Sequence, residues 1–145
     1  MSILQQHVRR AATVLALATL LGACSHGPHH QGGHDVTLTG AQEVPANTST
    51  ASGSSNIRVA HDRSVSGGVR YTGMLATVAH IHEAPVGANG PVIVPLVKTA
   101  EGTFAVPAGT LLTPSQHASY QAGNLYVNVH SAAYPAGEIR AQLKP

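Results

Sequence analysis

From residue 35 onward, the sequence consists of short runs in which apolar and polar side chains alternate, separated by Gly, Pro, Asn and Ser. Alternation with a period of two is typical of a half-buried β-strand. Many short strands between frequent turns predict an all-β sandwich or barrel. Eight strands are expected, over Val36–Thr39, Ser54–Ala60, Ser64–Thr72, Thr77–Glu83, Val92–Val97, Gly102–Val106, Leu125–His130 and Glu138–Leu143.

One segment between the predicted strands carries the signals of a helix. Thr113 is suited to an N-cap and Pro114 to the first helical position. Gln116 is suited to the third helical position, where its side chain can complete a capping box with Thr113. Gly123 supplies a C-terminal stop. A single short helix is therefore expected over residues 114–122.

The first 23 residues form a separate segment with the pattern of a secretory signal. Arg9 and Arg10 precede an uncharged stretch, residues 11–23, that is shorter than the roughly 20 residues needed to span a bilayer. This stretch ends in Leu21-Gly22-Ala23-Cys24, which resembles the bacterial lipobox. The resemblance implies that Cys24 is lipidated and becomes the first mature residue. The alternative is an ordinary signal peptide with a chance cysteine.

Lipidation at Cys24 would anchor the chain to a membrane of the cell envelope, outside the cytoplasm. In lipoproteins of Gram-negative bacteria, a residue such as Ser25 after the cysteine is typical of outer-membrane sorting, so the predicted location is the outer membrane, facing the periplasm or the exterior. Because Cys24 is the sole cysteine, an intrachain disulfide is excluded. The expected organisation is a signal peptide over 1–23, a tether over 24–34 and one domain over 35–145.

The tether is rich in histidine and contains Gly and Pro but no apolar residue to bury after Cys24. A flexible histidine tract can chelate Cu²⁺, Ni²⁺ or Zn²⁺, so auxiliary metal binding is one interpretation. A plain soluble tether with incidental histidines is the other. The candidate auxiliary ligands are His26, His29, His30 and His34, together with His117 on the predicted helix.

Histidine is also unusually abundant in the chain as a whole. The chain has 10 His, whereas Lys and Arg together number 8 and Asp and Glu number 6. The formal charge of +2 disappears when Arg9 and Arg10 leave with the signal peptide. A formally neutral domain excludes a nucleic-acid surface, and excess imidazole indicates metal or proton chemistry instead.

A His-x-His pair lies in the predicted strand over residues 77–83. His80 and His82 point to one side, whereas Ala79 and Ile81 point to the other. Residues two apart on a strand are about 6.5–7 Å apart at the backbone, a gap that two side chains can close around one metal ion. The alternative is a polar sheet face that carries histidine by chance.

A second strand adds a third imidazole. Tyr126, Asn128 and His130 share the face opposite the apolar residues of the strand over 125–130. If the two strands are neighbours, His80, His82 and His130 converge, with Tyr126 or Asn128 beside them. Neutral imidazoles suit several transition metals, and the Irving–Williams order favours copper, with zinc as the alternative.

Other chemistry has less support. His61, in a predicted turn, and His117 are either candidates for a fourth ligand or simply exposed side chains. No serine has the Gly-x-Ser-x-Gly setting of a hydrolase nucleophile, and no phosphate-binding glycine loop is present.

Four motifs, in order, make residues 35–143 resemble the CHRD domain, which is named after chordin and also occurs in bacterial secreted proteins. The resemblance implies an immunoglobulin-like antiparallel β-sandwich or barrel. The family pattern includes the positions of His80, His82 and His130, and Glu83 stands where glycine is common in relatives. The motifs are Gly40–Pro45, Ala79–His82 followed by Gly87–Val92, Gly123–His130, and Pro135–Leu143.

The leading hypothesis is a lipid-anchored envelope protein that binds a transition metal for buffering or resistance rather than turnover. One alternative is a protein-interaction or adhesion module, with Pro85–Pro91 and Ala132–Gly137 as contact loops and an unknown protein partner. The other alternative is a redox enzyme, because the metal-binding strand is similar to the His-x-His strand of copper–zinc superoxide dismutase.

Overall fold

The computed structural model describes residues 34–145, which consist mainly of antiparallel β-strands. The predicted signal peptide, Cys24, His26, His29 and His30 lie outside the described residues. No helix within residues 34–145 is long and apolar enough to cross a membrane. The strands are β1 (Val36–Thr39), β2 (Ser52–Ser55), β3 (Arg58–Val59), β4 (Val65–Ser66), β5 (Gly68–Thr72), β6 (Ala76–Glu83), β7 (Val92–Pro95), β8 (Val97–Ala100), β9 (Thr103–Ala105), β10 (Leu125–Ser131) and β11 (Ile139–Gln142), and the helices are a 3-10 turn (Gly40–Gln42) and α1 (Pro114–Gln121).

Nine of the strands form one antiparallel sheet in the order β7-β6-β10-β11-β1-β2-β5-β9-β8, and β3 pairs with β4 in a small second sheet. Strands β7 and β8 lie at opposite ends of this order, yet only Leu96 separates them in the chain. The chain therefore bends at Leu96 and nearly closes the sheet into a barrel. The Leu96 N–H donates to the Ala79 carbonyl of β6 at 2.9 Å, which holds the corner. The predicted all-β fold with one short helix is confirmed.

The core follows from alternation within the strands. Leu38, Ile81, Val127 and Ile139 come from four strands and are almost completely buried. On β6 and β10, the residues that alternate with Ile81 and Val127 point away from the apolar core. Burial of the apolar face is the main source of stability, and it leaves the opposite face of β6, β10 and β11 to polar side chains.

Several predicted strands are interrupted, each for a local reason. The expected strand Ser64–Thr72 is divided at Gly67, which has a φ of 95°. The expected strand Ser54–Ala60 is divided near Asn56, whose side-chain Oδ1 accepts a hydrogen bond from the Gly68 N–H at 2.9 Å. The strand expected over Val92–Val97 ends at Pro95, which has no N–H to donate to a ladder.

The predicted helix is present as α1, and its first turn has the predicted capping box. The Gln116 N–H donates to Thr113 Oγ1 at 3.2 Å, and the Thr113 N–H donates to Gln116 Oε1 at 2.9 Å. Buried Tyr120 holds the helix against the end of the chain, because its hydroxyl donates to the Lys144 carbonyl at 3.0 Å. Ser119 donates to the carboxylate of Glu83, so the helix also contacts the end of β6.

Candidate metal centre

Strands β6 and β10, which carry the three histidines, are hydrogen-bonded neighbours. In their register, His82 faces Tyr126, His80 faces Asn128, and His130 faces Val78. Residues that face each other across an antiparallel pair lie on the same side of the sheet. The pairing therefore brings the His-x-His motif and His130 to one face, opposite the apolar core.

The three imidazoles lie in mutual contact. One ring nitrogen from each of His80, His82 and His130 lies within 4.8 Å of the others. His80 Nδ1 and His130 Nε2 are 3.1 Å apart, and the rings of His80 and His82 have centroids 5.5 Å apart. A separation of about 3–4 Å is expected for two nitrogens that share an ion at about 2 Å. This is the one group of three or more metal-capable side chains within residues 34–145.

Backbone carbonyls determine the tautomers of two of these rings. His82 Nδ1 lies 2.9 Å from the Gly90 carbonyl, and His130 Nδ1 lies 3.0 Å from the Pro135 carbonyl. A carbonyl oxygen can only accept, so each Nδ1 carries the hydrogen and each Nε2 carries the lone pair. His82 Nε2 is buried and has no hydrogen-bond partner. In metal-binding histidines, the ring nitrogen that does not bind the ion commonly donates to a backbone carbonyl in this way.

The loop between β6 and β7 reaches back to His82 because it contains Gly90. A Cβ atom at this position would lie 1.9 Å from the Glu83 carbonyl oxygen, so any larger residue would push the loop away. The Gly90 N–H also donates to the Tyr126 hydroxyl at 3.3 Å. The loop therefore contacts both His82 and the residue that faces it.

Tyr126 is the middle member of a stack of three planar groups. Its ring is nearly parallel to that of His82, with an interplanar angle of 7° and centroids 4.7 Å apart. The guanidinium carbon of Arg140 lies 3.4 Å from the Tyr126 centroid. Such close cation–π contacts are attractive, particularly away from water. The stack restricts the His82 ring to one orientation.

Arg140 is 2% exposed, and its hydrogen bonds lead into the loops that cover the polar face. One guanidinium nitrogen donates to the Ala88 carbonyl at 2.8 Å, and the other donates to Asn89 Oδ1 at 3.1 Å. Asn89 in turn donates to the Val44 carbonyl at 2.6 Å. The network therefore joins β11, the β6–β7 loop and the segment after the 3-10 turn.

Glu43 is a second buried charged group on this face, being 6% exposed. Burial raises its pKa to about 7, although Arg140 and a hydrogen bond with Asn128 act in the opposite direction. Gly137, with a φ of 136°, makes room for this arrangement, since a Cβ atom there would lie 2.5 Å from Glu43 Oε1. Asn128 is therefore placed between the Glu43 carboxyl and the histidine cluster.

The electrostatics of the cluster favour neutral imidazoles. Burial lowers the pKa of His80, His82 and His130, and the neighbouring rings lower the pKa of His80 further. The buried Arg140 also acts to lower the pKa of His82. Since only the neutral ring can donate a lone pair, the environment prepares the group for metal binding at neutral pH.

The remaining candidate residues are placed elsewhere. His61 and His34 are exposed, and His117 lies on α1 with its ring beside Tyr120. None of them belongs to the three-histidine group. Tyr126 and Asn128 do lie beside the cluster, as their strand positions predict.

Sequence reasoning missed Arg140 and Glu43. A signal for Arg140 was present, because it alternates with Ile139 and Ala141 in a strand that would place it on the same face as His130 if the strands were neighbours. Glu43 had no comparable signal, since it follows a 3-10 turn outside any strand. Their burial depends on loops that fold over the polar face.

Comparison with known proteins gives a single result. A family model described as the CHRD domain matches residues 35–143. No curated protein and no solved structure matches the chain significantly. The family match covers most of the sequence and almost all of the described residues. The chain belongs to the CHRD domain family.

Proposed function

We propose that the domain binds one transition-metal ion through His80, His82 and His130, with copper preferred over zinc. The observation that carries the proposal is the orientation of two buried rings, whose Nδ1–H groups are held by backbone carbonyls. Each Nε2 therefore carries the lone pair: that of His130 faces His80, and that of His82 has no hydrogen-bond partner within the described residues.

The donor set supports the choice of ion. Three neutral imidazoles suit Cu²⁺, Cu⁺ and Zn²⁺, and copper forms the strongest complexes of the divalent series with nitrogen donors. The 3.1 Å contact between His80 and His130 is an Nδ1–H···Nε2 hydrogen bond when no metal is bound. An ion held by both of these nitrogens would take the place of that hydrogen, and the His80 ring would stay neutral by carrying its hydrogen on Nε2 instead.

The proposed role is buffering or resistance in the cell envelope rather than turnover. Rings held by a stack and by backbone carbonyls keep their positions, which favours retention of a bound ion. The proposed site of attachment is Cys24, supported by the lipobox-like sequence that ends there. Acyl chains on Cys24 would keep the domain at the membrane surface.

Metal content of the purified protein tests the site. The background is the full chain with His26, His29, His30 and His34 replaced by Ser, so that the tether cannot contribute ligands. We expect about one copper or zinc ion per chain in this background, and none at micromolar metal when His80, His82 and His130 are replaced by Ala. The matched control is His61→Ala, an exposed histidine outside the cluster. Unchanged uptake in the triple variant would exclude these ligands.

The question of turnover needs a separate measurement. Copper-loaded protein in the same background is expected to leave the rate of superoxide disproportionation unchanged. Acceleration that disappears in the triple histidine variant would favour the dismutase-like alternative.

Attachment is tested in cells that process lipoproteins. The wild-type chain is expected to partition into detergent and to have a mature mass that includes acyl chains on Cys24. The Cys24→Ser variant should lose both properties. A soluble wild-type protein of unmodified mass would contradict the anchor.

A further inference from the structure

We propose that Arg140 is a specificity-determining residue that shifts the three-histidine site toward a monovalent ion, Cu⁺, and away from divalent ions. This inference rests on the proposed metal site. It concerns the charge of the preferred ion, which the three ligands alone do not determine.

The first support is the place of the guanidinium in the stack. The guanidinium carbon of Arg140 lies 3.4 Å from the Tyr126 ring centroid and the His82 centroid lies 4.7 Å from it, and β10 with Tyr126 runs between the strands that carry these two residues. An arginine remains protonated at any physiological pH. A permanent positive charge is therefore held one aromatic ring away from a proposed ligand, on a side chain that cannot move freely.

The second support is that the charge is poorly screened. Arg140 is buried, and its hydrogen bonds go to neutral groups, the Ala88 carbonyl and the Asn89 side-chain oxygen. The carboxyl that interacts electrostatically with it within the described residues is Glu43. Because Glu43 is itself buried, it is costly to keep charged and neutralises Arg140 incompletely.

The third support is the size of the effect. An ion bound by the His82 ring would lie about 8 to 11 Å from the guanidinium, and in a medium of effective dielectric near 20 a unit charge at that distance changes an equilibrium constant by roughly 10- to 30-fold. A divalent ion experiences this repulsion twice and a monovalent ion once. The ratio of monovalent to divalent affinity should therefore depend on Arg140 by about tenfold.

The experiment measures both affinities in the full chain with Cys24 and the tether histidines replaced by Ser, because a free thiol would bind Ag⁺ and Cu⁺ in place of the imidazoles. Ag⁺ serves as the redox-inert monovalent probe and Zn²⁺ as the redox-inert divalent probe, with Cu⁺ and Cu²⁺ measured by competition with chelators. We expect Arg140→Gln to lower the ratio of Ag⁺ to Zn²⁺ affinity by about tenfold. Arg140→Lys, which keeps the charge, should restore most of the wild-type ratio.

A second variant changes the electrostatic potential at the metal site in the opposite direction to Arg140→Gln. Glu43→Gln removes the negative charge that partly offsets Arg140, so at about pH 8 it should raise the ratio of Ag⁺ to Zn²⁺ affinity. This variant leaves the stack and the guanidinium hydrogen bonds in place. If Arg140→Gln does not fold, Glu43→Gln alone tests whether the charge of Arg140 determines the ratio of Ag⁺ to Zn²⁺ affinity.

The outcomes separate the two proposals. Equal losses of Ag⁺ and Zn²⁺ affinity in Arg140→Gln would show that Arg140 only positions His82, and would overturn the inference. A ratio unchanged by Glu43→Gln would do the same. If the background protein with Arg140 and Glu43 intact binds neither Ag⁺ nor Zn²⁺, the metal site itself is refuted.

Discussion

At the scale of single residues, two backbone carbonyls decide which nitrogen of His82 and of His130 is available to an ion. The Gly90 and Pro135 carbonyls each accept a hydrogen bond from an Nδ1–H group. Loss of such an outer contact typically lowers metal affinity by roughly 10- to 100-fold. The chemistry of the cluster therefore depends on loop backbone as well as on histidine side chains.

The first prediction concerns these tautomers. In the metal-free protein above about pH 7, nitrogen NMR of the imidazoles should show His82 and His130 as Nδ1–H tautomers, because a carbonyl cannot donate a hydrogen. Exposed His61 is the internal reference, with no carbonyl contact to select one tautomer. Nε2–H signals for both buried rings would contradict the hydrogen bonds.

The second prediction concerns Glu43. Burial raises its pKa from 4.5 to about 7, so the folded state binds more protons than the unfolded state between these values. The contribution of Glu43 to stability is therefore complete below about pH 4.5 and is lost as the pH rises through about 7. Glu43→Gln, which resembles the protonated acid, should stabilise the domain by about 3 kcal/mol at pH 8 and by less than about 1 kcal/mol at pH 5.

Urea unfolding of the metal-free protein at both pH values measures this difference. Glu101→Gln is the control of opposite sign: Glu101 is exposed in the turn between β8 and β9 and its carboxylate accepts from Lys98 at 2.9 Å, so this variant should gain no stability at pH 8. A Glu43→Gln variant that is less stable than wild type at pH 8 would show that the charged carboxylate is stabilising.

At the scale of elements, the loop between β6 and β7 acts as a support for the ligand strand. Gly90 is packed against Glu83 so closely that it has no room for a side chain. Gly90→Ala should displace the loop, remove the acceptor for His82 and lower metal affinity by roughly 10- to 100-fold. Calorimetric titration with Zn²⁺ measures this loss.

Gly87 provides the control within the same loop. Unlike Gly90, it has a positive φ, of 80°, but a Cβ atom there would contact nothing within 4 Å. Gly87→Ala should therefore cost about 1 kcal/mol of backbone strain and leave metal affinity almost unchanged. Equal affinity losses in the two variants would mean that general strain, rather than the contact with His82, is responsible.

The elements also show what alternation can and cannot predict. Alternation predicts the observed bounds of β1 and the two faces of β6 and β10. It succeeds there because one face of the strand is packed on the apolar core and the other carries polar side chains along its whole length. It misses the breaks at Asn56 and Gly67, which depend on a side-chain hydrogen bond and a positive φ. It also misses β8, whose residues are all exposed and leave no apolar period.

At the scale of the whole molecule, the sheet order explains why the site could be predicted only conditionally. β6 and β10 are adjacent in the sheet but far apart in the chain, and a period-two pattern says nothing about which strands are neighbours. The three histidines therefore converge only under an assumed pairing. Arg140 and Glu43 were missed for a related reason, since their burial requires the completed fold.

The cluster also links the stability of the whole domain to pH and to metal. Burial lowers the pKa of all three histidines below 6.5, so the unfolded state binds more protons and stability is lost as the pH falls through the folded pKa values. A metal ion competes with those protons. At about 100 times its Kd, Zn²⁺ should add about 2.7 kcal/mol and raise the Tm by roughly 10 °C at pH 7.5.

Thermal unfolding in the Glu43→Gln background measures this linkage without the opposing titration of that carboxyl. We expect the Tm shift caused by Zn²⁺ to shrink strongly by about pH 5, because protonated imidazoles cannot bind the ion. Replacement of His80, His82 and His130 by Ala should abolish the shift at both pH values. Since the same three rings both resist protonation and bind the ion, loss of only one of the two effects in that variant would mean that protons and metal act at different places on the domain.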